Sequence, residues 1–568
     1  MRAFFLIFCI VFFVSGCQTS VNETANAAEQ IRLNQVGFYP KSPKKVILAN
    51  APSAFEDFEV LDIRTSQSVF SGKLSKVEEW KLAGETIQAG DFSELQEEGE
   101  YQIRIKGFGD SYPFSIKDRI YAEPLKASVK SYYYQRASTS LEKEHAGVYK
   151  RAAGHKDLEV TFHPSSGRTG FTASPKGWYD AGDYGKYVIN GAFSLGQMLM
   201  LYEQYPEAIK DNALNIPESG NGISDLLDEL KYEMDWLMTM QDDDGGVWFK
   251  LTTLNFEGMI MPEEAVQQRY IIGKGTASSL NFAAAAAKFS RVYKPFDKDF
   301  SSELLKAAIK AWEWSLENPD KAFRNPEDVS TGEYGDSDFK EEFYWAASEL
   351  YLASTDYKYS DYLKEHPVEL SIKPGDGWSS LMKFIGAIAL IDRMPELDMV
   401  QTLKSQIIDA ADDMVAKVNT TDYFQPVDDF HWGSNSDLMN ACIIMAQAYR
   451  YTGDPRYNNA ITETTDYVFG KNATGYSFVS GFGTKRVQFL HHRPSVADNI
   501  AEPIPGFISG GPNSRMQDAK DVNYPENPAP MKAWADQVPS YASNEVCLNW
   551  NAPLTYVLGF LEREMVKQ

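Results

Sequence analysis

The chain has 568 residues but only four cysteines, and it lacks any apolar run of membrane-spanning length. Cys9 and Cys17 lie in the N-terminal segment, so the body of the chain contains only Cys442 and Cys547. So few thiols exclude a disulfide scaffold and a thiolate zinc site. The spacing leaves open whether Cys442 and Cys547 pair.

Basic residues are scarce relative to acidic ones. The chain has 55 Lys and Arg against 79 Asp and Glu, a formal net charge of -24. Phosphate backbones attract cationic proteins, so this balance argues against a nucleic-acid partner. With 43% hydrophobic residues the chain is globular, and its length predicts two to four domains.

The first residues have the pattern of an export signal. Arg2 precedes an apolar stretch over residues 3–14, and Val14-Ser15-Gly16-Cys17 follows. This stretch is too short to span a bilayer. The Val-Ser-Gly-Cys ending resembles a bacterial lipoprotein box, and the alternative is an ordinary cleaved signal peptide.

The lipoprotein interpretation predicts a signal peptide at residues 1–16, lipidation of Cys17 and a polar tether at residues 17–29. Two buried acyl chains would anchor the protein firmly to a membrane. Gln18 is not the usual retention residue Asp. The expected location is therefore the envelope of a Gram-negative bacterium, at the outer membrane, on its cell-surface or periplasmic side.

The mature chain has two regions with different patterns of apolar residues. Residues 30–117 contain short alternating runs such as 58–63 and 101–105, separated by Gly, Pro, Asn and Asp, which predicts a β-sandwich. Residues 118–568 repeat apolar residues at three- and four-residue spacing, as in 438–451. This second part is predicted to be an all-α domain of antiparallel helix pairs.

One candidate site is a turn that contains two carboxylates. Asp180 and Asp183 lie three residues apart between Trp178 and Tyr187, just before a predicted helix. One aspartate there could simply cap the helix. Two of them, near the positive end of a helix, could instead hold a water molecule as a general base.

Two further candidate sites lie near the C-terminus. His491, His492 and Arg493 end a glycine-rich loop and form a donor cluster suited to hydroxyl-rich ligands. No third metal ligand has suitable spacing there. Glu545 follows Tyr541 near the start of the last helix. Its negative charge could simply interact favourably with the dipole of that helix. Alternatively, its aromatic neighbours could raise its pKa, as a general acid requires.

Together these segments resemble the family-9 glycoside hydrolases, known mainly as cellulases. The loop ending at 490–493 fits the family's first signature, and residues 534–552 fit its second. Asp180-Ala181-Gly182-Asp183 matches its Asp-Ala-Gly-Asp, and residues 431–436 resemble its Trp-Gly-Ser-Asn segment. Residues 31–38 resemble the start of the immunoglobulin-like domain of one subgroup. The resemblance therefore covers most of the mature chain.

The resemblance implies a multidomain fold, in which an immunoglobulin-like β-sandwich at residues 30–117 precedes an (α/α)6 barrel at residues 118–568. It also implies hydrolysis of a β-glycosidic bond with inversion, without a cofactor. Glu545 would be the acid, Asp183 the base, and Asp180 would position the water. The implied substrate-binding residues are His491, Arg493, Tyr541, Trp432, Trp178 and Tyr187.

The expected activity is an endo-β-1,4-glucanase acting on soluble or amorphous glucan or cellodextrins, as a monomer. One alternative is an exo-acting β-glucosidase or exo-β-glucosaminidase acting on oligosaccharides. Another is a non-catalytic glycan-binding lipoprotein. Retention of Asp180, Asp183 and Glu545 argues against it, because binding alone does not require all three.

Many members of the family bind calcium near a stretch that this chain matches imperfectly. The corresponding residues, which are oxygen ligands of the kind calcium prefers, are Ser337, Asp338, Glu341 and Glu342. The alternative is an ordinary acidic helix start. Some relatives also have a Cys/His zinc site. Because this chain has histidines but no cysteine in that region, no such site is expected.

Overall fold

A computed structural model describes residues 27–372 and 378–566 of the chain. The predicted signal peptide, Cys17 and most of the predicted tether lie outside these residues. Among the residues described, no helix combines the length and apolarity needed to cross a bilayer. Cys442 and Cys547 are both buried and free, so they do not pair.

In the part of the chain that the structure describes, the N-terminal domain is a sandwich of two β-sheets. One sheet has the order β1-β3-β7-β6, and the other the order β2-β10-β8-β4-β5 with β9 beside β8. The strands are β1 Ile31–Arg32, β2 Gly37–Phe38, β3 Lys45–Ala49, β4 Asp57–Asp62, β5 Ser68–Lys73, β6 Glu78–Trp80, β7 Glu85–Asp91, β8 Gly99–Ile105, β9 Gly109–Asp110 and β10 Phe114–Ile116. Alternate residues of β8, namely Tyr101, Ile103 and Ile105, are buried between the sheets, as period-two patterning requires.

The C-terminal part is a barrel of twelve long helices, as far as the chain is described. The inner helices are α3 Val188–Gln204, α5 Thr276–Tyr293, α7 Lys340–Ser354, α9 Met382–Arg393, α11 Ser434–Thr452 and α15 Leu548–Glu564. The outer helices are α1 Ala122–Tyr134, α4 Asp225–Thr239, α6 Lys298–Glu317, α8 Tyr357–Glu365, α10 Met399–Thr420 and α12 Pro455–Val468. The shorter helices are α2 Lys143–Ala146, α13 Arg493–Ala497 and α14 Tyr541–Asn544.

The inner helices are buried on nearly all sides, whereas the outer ones keep a polar face. The five alanines at 283–287 of α5 have no exposed surface, which lets α5 pack closely against α3, α6 and α7. In α10 the buried residues recur at helical spacing, as an amphipathic helix requires. The predicted fold class, a β-sandwich followed by a helical barrel, is confirmed.

A small sheet interrupts the helical part, which the sequence predicts to be all-α. Its order is β12-β11-β15-β14-β13. The strands are β11 Val160–Phe162, β12 Phe171–Thr172, β13 Lys186–Tyr187, β14 Trp248–Thr252 and β15 Tyr270–Lys274. All five residues of β14 are buried, so the strand lacks the alternation that would reveal it. This sheet supports the loops at one mouth of the barrel.

The sandwich is fastened to the barrel by buried polar contacts. Arg32 donates to Glu85 at 2.6 Å and to the hydroxyl of Tyr423 in the barrel. The backbone N–H of Gln35 donates to the carbonyl of Phe469 at 3.0 Å, and the Gln35 side chain accepts from the Lys485 N–H at 2.7 Å. The sandwich therefore helps to hold the loops that lead to His491.

Candidate active site

The loops that enter the inner helices meet at one mouth of the barrel. Asp180 and Asp183 precede β13 and α3, and Glu545 lies between α14 and α15. Ala181 forms an antiparallel bridge with Cys547, and the N–H of Leu548 donates to the Asp180 carbonyl at 2.9 Å. These backbone contacts bring three carboxyl groups from distant parts of the sequence into one site.

Glu545 has the environment of a general acid. Glu545 is partly exposed, and it accepts a hydrogen bond from the Gly182 N–H. Burial, and then the charge of Asp183, raise its pKa well above the ordinary value, although Arg493 opposes the shift. This shift favours the protonated form of Glu545, which is the form that a general acid requires.

The two aspartates differ in exposure and in hydrogen bonding. Asp180 is fully buried and accepts from the Tyr334 hydroxyl and, at 2.9 Å, from the Asn190 amide. Burial, and then the charge of Asp183, raise the pKa of Asp180 to about 8.

Asp183 is 6% exposed and accepts from the Gly185 N–H at 3.0 Å. Burial raises its pKa, but Arg493 lowers it. Because the charge of Asp183 disfavours ionisation of Asp180, the two carboxyls favour one negative charge between them. Asp183 is the less enclosed and is stabilised by Arg493, so it is the carboxyl that carries this charge.

His491 and Arg493 both lie at the site, but their side-chain nitrogens form different hydrogen bonds. His491 Nδ1 donates to the Val538 carbonyl at 2.7 Å, and burial lowers the pKa of its ring to about 4. Its Nε2 is therefore an acceptor at neutral pH. Arg493 is 5% exposed and donates to the carbonyls of Gly182 at 2.7 Å and Glu257 at 2.8 Å. Arg493 thus braces the loops, and its predicted sugar contact stays a prediction.

The predicted aromatic residues divide into two groups. Trp432 is 40% exposed, and its ring lies 5.4 Å from that of Tyr541, which lies 6.1 Å from that of His491. These three side chains form a wall next to Glu545, with which His491 shares a backbone bridge. A half-exposed indole beside a catalytic carboxyl is well placed to stack on a sugar ring.

Trp178 and Tyr187 have no exposed face, so the structure contradicts their predicted role in stacking on sugars. The Trp178 indole N–H donates to Glu229 at 2.8 Å, in the core between α1 and α4. The Tyr187 hydroxyl accepts from the Gly332 N–H at 3.0 Å. Both rings support the turn of Asp180 and Asp183 from behind.

Three residues that the sequence does not single out also belong to the site. Tyr334 and Asn190 hold Asp180, as described above. The Trp550 indole lies against Gly433 and Gly510, where an added Cβ would approach it to 2.7 and 2.9 Å. An aromatic residue five positions after the acid could have indicated Trp550. Tyr334 comes from a distant loop and carries no such indication.

The four predicted calcium ligands do not form a complete site in the described residues, where no group of three His, Cys, Asp or Glu could hold a metal ion. Glu342 is 1% exposed, and its Oε2 has no hydrogen-bond partner. Burial, and then Asp336, raise its pKa well above the ordinary value. Asp338 instead pairs with Lys340 at 3.0 Å. Calcium binding is thus not confirmed.

Comparisons with known proteins agree with this geometry. The xyloglucan-specific endo-β-1,4-glucanase of Bacteroides ovatus is 36% identical over 96% of this chain and 96% of its own. Endoglucanase D of Acetivibrio thermocellus is 31% identical over 95% of this chain and 85% of its own. A solved structure of Bacteroides ovatus GH9 has a TM-score of 0.87 at 35% identity, covering 95% of this chain and 100% of its own.

Residues 26–110 match the cellulase N-terminal ig-like domain, and residues 121–558 match glycosyl hydrolase family 9. The second match contains the two aspartates, Glu545 and the twelve long helices, except for the last residues of α15. The chemistry of this family requires no cofactor. The chain therefore belongs to glycosyl hydrolase family 9 and is a glycoside hydrolase that carries an N-terminal immunoglobulin-like domain.

Proposed function

We propose that the protein is an inverting endo-β-1,4-glucanase that acts on soluble or amorphous β-glucans as a monomer. The observation that carries this proposal is that Glu545, whose pKa is strongly raised, and Asp183, whose ionised form Arg493 favours, lie at one site. The half-exposed Trp432 beside them suits a sugar polymer. Endoglucanases among the relatives support the β-1,4-glucan substrate.

The two carboxyl groups divide the reaction between them. Glu545 donates its proton to the glycosidic oxygen as the bond to the anomeric carbon breaks. Asp183 removes a proton from a water molecule that attacks the same carbon from the opposite face. The new hydroxyl group therefore has the inverted, α configuration. Afterwards Glu545 regains a proton and Asp183 loses one to solvent.

Product analysis tests this function. Purified mature protein is incubated with mixed-linkage β-glucan, xyloglucan, cellotetraose and chitosan tetramer, and products are followed by chromatography, viscosity and NMR. We expect a rapid fall in the viscosity of a glucan, mixed short oligosaccharides, and α-anomers as first products. A single monomer released only from oligomers would instead identify an exo-acting enzyme, and glucosamine among the products would identify chitosan as its substrate. A lack of any product would favour the glycan-binding alternative.

The pH dependence of kcat/KM is expected to be bell-shaped. Asp183 must be ionised, so activity falls as pH decreases through its raised pKa. Glu545 must be protonated, so activity falls again as pH rises through its own strongly raised pKa. A pH series with a soluble glucan measures both limbs. An alkaline limb at the ordinary glutamate pKa of about 4.3 would contradict the role of Glu545.

We also propose that the first turn of α7 and the loop before it bind a structural Ca²⁺ ion. The unpartnered Oε2 of buried Glu342 and the neighbouring Asp336 are oxygen ligands of the required kind. Ca²⁺ is expected to raise the melting temperature of EDTA-treated protein, whereas Mg²⁺ is not, and Glu342→Gln should remove the effect. An unchanged melting temperature in Ca²⁺ would argue that the two carboxyls share a proton instead.

We propose, finally, that Cys17 anchors the enzyme to the outer membrane of a Gram-negative bacterium. The Val-Ser-Gly-Cys ending and the polar segment after it support this address. Palmitate labelling and membrane fractionation of the expressed protein test the anchor. Cys17→Ser is expected to lose the label and leave the membrane fraction, and a labelled Cys17→Ser protein would contradict the proposal.

A further inference from the structure

Lys250, in strand β14, is a fully buried lysine near the catalytic aspartates. Its Nζ lies within hydrogen-bond distance of four oxygens, which share its N–H donors: Asn325 Oδ1 at 2.8 Å, Thr331 O at 3.1 Å, Thr331 Oγ1 at 3.0 Å and Gly332 O at 2.8 Å. These acceptors are neutral oxygens. Burying a charge without a paired carboxylate is unfavourable, so the ammonium must be compensated by the loop it holds and by more distant charges.

The loop that Lys250 holds leads to Asp180. The Gly332 N–H donates to the Tyr187 hydroxyl at 3.0 Å, and the ring of Tyr187 lies 4.9 Å from that of Tyr334. The Tyr334 hydroxyl donates to Asp180 Oδ2. A continuous set of contacts therefore runs from the ammonium of Lys250 to a carboxyl of the active site.

The charges of Lys250 and Asp183 also attract each other. Burial lowers the pKa of Lys250 to about 7, while Asp183 and then Glu333 raise it, so Lys250 carries its positive charge in the acidic range. Its Nζ also lies 5.6 Å from the centre of the Tyr187 ring and 5.6 Å from that of Phe323. A cation that interacts with Asp183 stabilises the ionised form of that carboxyl, which is the form a general base requires.

We propose that Lys250 is a positioning residue for hydrolysis. Its ammonium fixes the loop of residues 325–334 so that Tyr334 holds Asp180, and its positive charge favours ionised Asp183. The inference rests on the proposed function, with Asp183 as the base. The inference goes beyond the proposed function because it assigns an effect on catalysis to a buried strand residue that does not contact the substrate.

The test compares Lys250→Met, Lys250→Arg and a matched control, Lys44→Met. Lys44 is also a buried lysine whose Nζ donates to backbone carbonyls, of Pro40 at 2.6 Å and Ser42 at 3.0 Å, but it lies in the sandwich. We measure kcat, KM, the pH profile of kcat/KM and the melting temperature of each protein.

Lys250→Met is expected to lower kcat by about 10- to 100-fold, since small misplacements at a reacting centre have effects of this size. KM should change less than about threefold, because the sugar-binding wall is untouched. The acidic limb of kcat/KM should move to higher pH, because Asp183 loses a neighbouring cation. Lys250→Arg should keep that limb in place, and Lys44→Met should lower only the melting temperature.

A folded Lys250→Met enzyme with wild-type kcat and an unmoved acidic limb would overturn the inference. If Lys250→Met does not fold, Lys250→Gln supplies the same test, because it keeps a donor but has no charge. An unmoved limb in Lys250→Gln would likewise overturn the electrostatic role. Wild-type protein without hydrolytic activity would instead overturn the proposed function, so the two failures are distinguishable.

Discussion

Replacing Glu545 with Gln is expected to lower kcat on β-glucan by about 10³-fold. Glutamine has nearly the same shape but no proton to donate to the leaving oxygen. Binding of cellotetraose, measured by calorimetry, should remain close to that of wild type, since the wall of Trp432, Tyr541 and His491 is unchanged. Comparing kcat with the affinity for cellotetraose therefore separates the effect of Glu545 on catalysis from its effect on binding.

Substrates with different leaving groups sharpen this test. A 2,4-dinitrophenyl cellobioside needs little protonation of its leaving oxygen, so Glu545→Gln should impair its hydrolysis much less than that of glucan. Glu502→Gln, an exposed substitution, serves as the control and should leave both reactions unchanged. Wild-type turnover of glucan by Glu545→Gln would refute the assignment of Glu545 as the acid.

Replacing Asp183 with Asn is expected to lower kcat by a similar factor, about 10³-fold, because an amide cannot take the proton of the attacking water. Asp180→Asn should lower kcat much less. Burial raises the pKa of Asp180 to about 8, so it is largely protonated at neutral pH, and a neutral amide resembles that state. The ratio of the two losses therefore distinguishes the base from the residue that positions the water.

Chemical rescue gives an independent measurement for Asp183. In Asp183→Ala, azide can occupy the space of the carboxylate and attack the anomeric carbon without a base. An α-glycosyl azide product, identified by NMR, would place Asp183 on the face opposite the leaving group. If Asp180→Asn proved the more damaging substitution and azide rescued only an Asp180 variant, the two roles would have to be exchanged.

Some site residues were predictable because local chemistry identifies them. Asp180 and Asp183 in one turn, and Glu545 after an aromatic residue, combine carboxylates with helix starts. The stacking roles of Trp178 and Tyr187 were not predictable in this way. An aromatic side chain beside a carboxylate can face the substrate or the core. Only the packing of α1 against α4 places Trp178 in the core.

The sequence by itself determined the order of domains and the reacting groups. The alternating apolar residues of the N-terminal part determine a β-sandwich, and the largely apolar helices of the C-terminal part must be buried in a helical domain. The catalytic carboxyl groups are side chains that the sequence itself supplies. Only the tertiary structure decided which carboxyl group carries a proton. Burial and the charges of neighbours determine the pKa of each group, and Tyr334, Arg493 and Lys250 come to the aspartates from distant segments.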